Sequence, residues 1–248
     1  MKWDMCGAAT GCMYSHNLVL LPNTCAVMGT LSLVSRIQMP LRVVGVLACA
    51  ENMPSGSAYR PSDVYRGFNG VSVEIINTDA EGRLCLADAL AWACNKYNPR
   101  STIDLATLTG AIGVALGSTR AGLFCKDKQL SSAILAAARA SGEKVWPMPM
   151  DIEYDHAISA GIADIKNQAA AGTGVSTSAM FLTHFVTGPH AHLDIASMAW
   201  STALRSPFST TGATGWGVRL LYEYLRELSQ PAGSSSSSVA DPPTSEIF

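Results

Sequence analysis

The chain has 248 residues, enough for one large domain with a sizeable core, and its composition is 48% apolar and 15% charged with a formal net charge of -2. That balance gives no electrostatic reason to bind nucleic acid or an anionic membrane. The longest apolar stretches, such as LRVVGVLACA, fall short of the roughly 20 residues of a spanning helix, and MKWDMCGAAT has no secretory leader pattern, so a cytoplasmic location is expected.

Residues 41–50, LRVVGVLACA, read as a short buried strand before the turn-rich ENMPSGSAYRPSD. VSVEII (71–76) is a second strand, and after a charged cluster LCLADALAWACNKY (84–97) has helix formers and helical spacing. STIDLATLTGAIGVAL (101–116) is a strand running into a glycine-containing loop, and KQLSSAILAAARASGEK (128–144) a helix with a glycine stop. SAMFLTHFV and HAHLDIASMAW read as helix then strand, and GWGVRLLYEYLRELS as a closing amphipathic helix. This alternation predicts an α/β layer protein whose ligands collect beyond the carboxyl ends of its strands. Residues 1–230 form the expected domain, and the serine- and proline-rich 231–248 are expected to be disordered.

Seven cysteines, Cys6, Cys12, Cys25, Cys49, Cys85, Cys94 and Cys125, show no paired CxxC spacing and are expected to be reduced, mostly buried thiols. Without an HExxH or a histidine cluster, any metal would be held mainly by oxygen.

The charge concentrates in NTDAEGR, residues 77–83. A helix N-terminus could use Asp79 and Glu81 against its exposed amides, with Arg83 as an ion-pair partner. On an extended segment, however, Asp79 and Glu81 would project to one side, an arrangement whose repulsion a divalent cation relieves. Asp4, before a run of small residues, is the candidate third carboxylate.

NTDAEGRL resembles the signature of the leucine aminopeptidase family, two-metal exopeptidases, and ENMPSG, DLATLTGA, HLDIA and GWGVRLL are similar to further family segments in the same order. The resemblance implies a three-layer α/β fold with a mixed, mostly parallel sheet whose N-terminal strands are missing. It implies peptide substrates and two divalent ions, Mn or Zn with Mg as another option, held by Asp4, Asp79 and Glu81, with Glu81 as the bridge. Arg83 matches an arginine that holds a bicarbonate acting as general base. Thr107, Leu108, Gly110, Met1 and Ala196 fall at substrate-pocket positions, and His192 reads as a packed structural histidine. A homo-oligomer, a hexamer, is implied as well.

Two departures stand out. Family members carry a GKG…FDSGG stretch upstream that supplies a lysine ligand, an aspartate ligand and a catalytic lysine, and neither GKG nor DSGG occurs here. Residues 11–25, GCMYSHNLVLLPNTC, read as an insertion in the helix behind Asp4, because removing them restores a continuous helix-then-strand pattern. The rival expectation is therefore a catalytically inactive homologue acting as a structural or regulatory subunit.

Overall fold

The computed structural model describes residues 17–21, 24–170, 174–202 and 211–230, with backbone alone for those up to 25. In chain order the elements are β1 (Asn17–Leu21), α1 (Thr24–Arg36), β2 (Arg42–Gly45), β3 (Val64–Arg66), β4 (Ser72–Glu74), α2 (Gly82–Tyr97), β5 (Ser101–Ala106), α3 (Ala111–Leu116), β6 (Ala121–Cys125) and α4 (Lys128–Ser141). They continue with β7 (Val145–Pro147), α5 (Ile152–His156), β8 (Ile165–Lys166), α6 (Val175–Thr183), β9 (His190–Asp194), β10 (Trp200–Ser201), β11 (Gly212–Ala213) and α7 (Val218–Ser229).

The central sheet has six strands in the order β2-β1-β5-β9-β6-β7. The first four run parallel, β6 is antiparallel to β9, and β7 is parallel to β6. Period-2 alternation sorts its side chains onto two faces. Ile103, Leu105, Leu123, Ala191 and Leu193 enter one core with residues of α1, α4 and α7, while Leu84, Leu90, Phe181 and Phe185 from the α2 and α6 side form a second with Val44. Helices therefore cover both faces, as a mostly parallel sheet requires.

The expected α/β architecture is present, with corrections in detail. VSVEII is a strand as expected, β4, and it belongs to a separate three-stranded sheet, β3-β4-β8. Within 11–25, Asn17–Leu21 forms a strand between β2 and β5, Val19 opposite both Val44 and Thr102, and residues 24 and 25 begin α1. NLVLL is a short apolar run closed by Pro22, which suits a buried strand better than a helix, and it fills a place that would leave edges of β2 and β5 unpaired. The rest of 11–25, and 231–248, lie outside the described residues.

Glu143 shows how the fold places its charges. It is 4% exposed and accepts from the amides of Gly217 (3.1 Å) and Leu220 (2.8 Å), capping α7 from another element. Burial pushes its carboxyl up, and these amides and Arg219 offset part of that. Gly217, at φ 101°, is required here, since a Cβ would stand 2.6 Å from Leu105 Cδ2. The described cysteines Cys49, Cys85, Cys94 and Cys125 are free thiols, but only Cys94 among them is buried, which corrects the expectation of mostly buried sulfurs. Among the described residues no helix is long and apolar enough to cross a membrane.

Candidate active site

Between β4 and α2 the chain turns sharply. Ala80 N donates to the Asn77 carbonyl (3.3 Å) and Asp79 N to Asn77 Oδ1 (3.0 Å), an asparagine side chain substituting for a backbone turn contact. Asp79 and Glu81 are thus presented from a turn and a helix entry, which corrects the extended-segment argument for their common side. Nor do they serve the helix: Glu81, at the start of α2, makes no side-chain cap bond, and the first turn holds no acid. The Asp79 carboxylate has no hydrogen-bond or ion-pair partner among the described residues, and the Glu81 side chain accepts from Asn52 Nδ2 (2.9 Å). The ENMPSG loop therefore orients one carboxylate and leaves its neighbour free.

Asn167, fully buried after β8, fastens the turn from behind. Its Oδ1 accepts from Ile76 N (2.8 Å) and Asn77 N (3.3 Å), and its Nδ2 donates to the carbonyls of Asn77 (2.7 Å) and Ala80 (3.3 Å). Every polar position of that amide is used, which makes the small β3-β4-β8 sheet the support of the acidic turn.

Arg83, in the first turn of α2, is 3% exposed. Its Nη1 donates to the Asn167 carbonyl (2.7 Å), while its Nε is buried with no partner among the described residues. Burial lowers its pKa to about 10, with the negative charges of Asp194 and Glu81 working the other way. An unpaired donor on a buried, fixed guanidinium is costly unless an anion meets it.

Across from the turn, β5 and β9 end side by side, Ala106 opposite Asp194. Thr107 and Leu108 are half-buried and Gly110 is exposed at the start of α3, while Ala196 is half-buried after β9. Leu108 packs on the α2-side core, and Ala196 on a small cluster of Ile112, Phe124 and Ala179. Between these loops lies Asp194, fully buried, accepting from Thr109 Oγ1 (2.7 Å) and Ala196 N (3.2 Å). Burial pushes its carboxyl up, partly offset by His192 and these donors.

On the same face of the sheet Asp104, fully buried, meets His190 Nε2 and His192 Nδ1, each at 2.6 Å. Burial alone would raise its pKa, yet the two imidazoles hold it at about 2. As an ionised carboxylate it only accepts, so His190 donates from Nε2 and His192 from Nδ1. Burial would depress His192, but the charge and hydrogen bond of Asp104, with Asp194, hold it above its ordinary value. His192 is 1% exposed, packed as expected, and its Nε2 is buried with no hydrogen-bond partner among the described residues.

Of the sequence-predicted residues, Glu81 and Arg83 are brought into electrostatic contact, and Arg83 feels Asp194, which joins the 107–110 and 196 segments. Met1 and Asp4 lie outside the described residues. Among the described residues no group of three His, Cys, Asp or Glu side chains stands together to hold a metal. The free oxygens of Asp79 and Glu81 nevertheless suit a hard or borderline divalent ion. Sequence reasoning missed Asn167, Thr109 and Asp194. Asn167 lies in no motif, whereas the alternation in HAHLD carried a signal for a polar face.

An oxygen-rich turn beside a buried guanidinium, at the carboxyl edge of a helix-covered, mostly parallel sheet, defines the class: an α/β protein with a candidate ligand site beyond its strand ends. The chain belongs to the cytosol aminopeptidase family, whose catalytic domain its residues 23–222 match. It is 46% identical over 231 residues to a probable cytosol aminopeptidase of Chlorobium limicola, covering 92% of this chain and 42% of that protein. A Roseiflexus castenholzii relative of the same description is 44% identical, with 93% and 44% covered. Among solved structures, a tomato leucine aminopeptidase mutant superimposes with a TM-score of 0.78 at 37% identity, over 88% of this chain and 46% of that one. The bottromycin maturation enzyme BotP in complex with Mn gives 0.81 at 31%, over 92% and 59%. The chain thus spans less than half the length of these curated relatives.

Proposed function

We propose that the chain carries the catalytic part of a leucine-type metalloaminopeptidase, which releases N-terminal residues from peptides. The observation that supports this most is the pairing of two carboxylates that cap no helix with a buried arginine whose Nε has no partner among the described residues. Asp79 and Glu81, with Asp4, would hold two divalent ions, Mn, Zn or Mg; the Mn bound by BotP, a protein of the same fold, favours this donor chemistry. When bound, such ions supply Lewis acidity toward the scissile carbonyl and an activated water. Asn52 orients the Glu81 carboxylate. Arg83, its plane set by the Asn167 carbonyl, offers Nε–H to a planar oxyanion, and bicarbonate in that place would serve as proton acceptor. Thr107, Leu108, Gly110 and Ala196, with Met1, would border the apolar pocket for the first residue. A cytoplasmic location and a homo-oligomeric, hexameric assembly belong to the same reading.

A second reading is an inactive homologue serving as a subunit. Hydrolysis of leucinamide with added Mn or Zn separates them. The 248-residue chain is compared with the same chain joined to the upstream half of the Chlorobium limicola relative. The peptidase reading expects the joined form to be faster by at least about 100-fold. Equal activity would refute the need for upstream ligands, and inactivity of both would refute the peptidase assignment.

A further inference from the structure

We propose that Asp194 is a positioning residue whose carboxylate ties the loop after β5 to the loop after β9, holding the two walls of the candidate cleft at one spacing. The inference rests on the peptidase reading for its link to substrate, while the tie itself stands on geometry. The sheet ladder ends where the cleft begins: Ile195 N still donates to the Ala106 carbonyl (2.9 Å). Past that point the carboxylate takes over. Its Oδ2 accepts from Thr109 Oγ1 (2.7 Å) and its Oδ1 from Ala196 N (3.2 Å). The Thr109 hydroxyl accepts in turn from Ile112 N (3.2 Å) in α3. One continuous run of bonds therefore links Ala196, Asp194, Thr109 and the first turn of α3.

An acceptor-only side chain suits the site: the Ala196 N–H can only donate and the Thr109 hydroxyl donates to the other oxygen, whereas a side chain with no polar atom there leaves both without their partner. Asp194 is fully buried and Thr109 is 2% exposed, so water does not replace a bond that is lost. The buried charge is tolerated because Arg83 and His192 face it electrostatically. Thr107, Leu108 and Gly110 stand on one wall and Ala196 on the other, so loosening the tie changes how the first residue of a peptide is gripped while the metal-facing carboxylates of the turn stay in place.

The test uses the 248-residue chain with Asp194→Ala, which removes the tie, Thr109→Val, which cuts the same bond without touching the carboxylate, and Thr109→Ser, which keeps it. Hydrogen exchange at the amides of Leu108, Ile112 and Ala196 is expected to speed up at least about tenfold in the first two variants. It should stay at the parent rate in Thr109→Ser, with α4 and α7 amides unchanged in all three. In leucyl p-nitroanilide hydrolysis with Mn by the form joined to the upstream half of the Chlorobium limicola relative, Thr109→Val is expected to raise KM about tenfold while kcat stays within about threefold. Unchanged local exchange, or exchange that rises equally in α4 and α7, would overturn the tie. Faster local exchange with an unmoved KM would overturn its role in the cleft. A joined form without hydrolysis would count against the peptidase reading instead, and the exchange comparison would still decide the tie.

Discussion

Replacing Arg83 with alanine is expected to cost about 3 kcal/mol of stability and to abolish hydrolysis in any active form of the enzyme. The side chain is 3% exposed and its Nη1 satisfies the Asn167 carbonyl at 2.7 Å, so truncation removes packing, a charge-assisted bond and the cation that Asp194 and Glu81 feel. Urea unfolding of Arg83→Ala, Asp194→Asn and the double variant should give a coupling of about 1–3 kcal/mol, since removing both charges leaves neither buried alone. Strict additivity would mean that the two groups do not interact. Arg83→Lys should recover much of the stability, because a cation remains, but not the rate. A lysine ammonium cannot bond the Asn167 carbonyl and a planar anion with one fixed fork, and turnover is expected to fall about 100-fold.

Asp104→Asn has the second largest expected effect, about 3–4 kcal/mol, with a change in the shape of the pH profile. In the parent protein the carboxylate, held at about 2 by His192 and His190, contributes stability that is complete above the unfolded carboxyl pKa near 4 and is lost as pH falls through about 2. His192 has the opposite sign. Its pKa is raised by Asp104 and Asp194, against burial and the Arg83 charge, so its contribution is complete below the unfolded value of about 6.5 and is lost as pH rises through the higher folded value. The cluster therefore stabilises most between about pH 4 and 6.5. In Asp104→Asn the decline above that window should flatten, because the main partner that holds the proton on His192 is gone. Thermal unfolding between pH 4 and 9 measures it, and parallel profiles for parent and variant would contradict the assignment.

Much of this architecture was legible because its signals are local. The helix over 84–97, the glycine stop after Ser141 and the strand in STIDLA follow from spacing and composition, and each is present as α2, α4 and β5. The apolar run NLVLL suits a strand, but its place between β2 and β5 was not legible, since that depends on pairing with residues distant in sequence. The acidic turn was found by its charge density, but its geometry was misjudged. Asn167, 90 residues from Asn77, bends what the local pattern suggests is extended. Asp194 and Thr109 were passed over because each sits among ordinary core residues. The alternation His190, His192, Asp194, placed beside Thr102 and Asp104, identifies a polar face only once the register of β5 and β9 is known.

The central claim is that Asp79 and Glu81 are metal ligands and not surface acids at a helix entry. Manganese titration of the 248-residue chain, followed by the electron paramagnetic resonance of free ion, tests it without requiring turnover. Asp79→Asn and Glu81→Gln are each expected to weaken Mn binding at least about tenfold, while Asp63→Asn, on the exposed loop before β3, leaves it unchanged. Binding that survives both turn substitutions, or that is lost equally in all three variants, would contradict it.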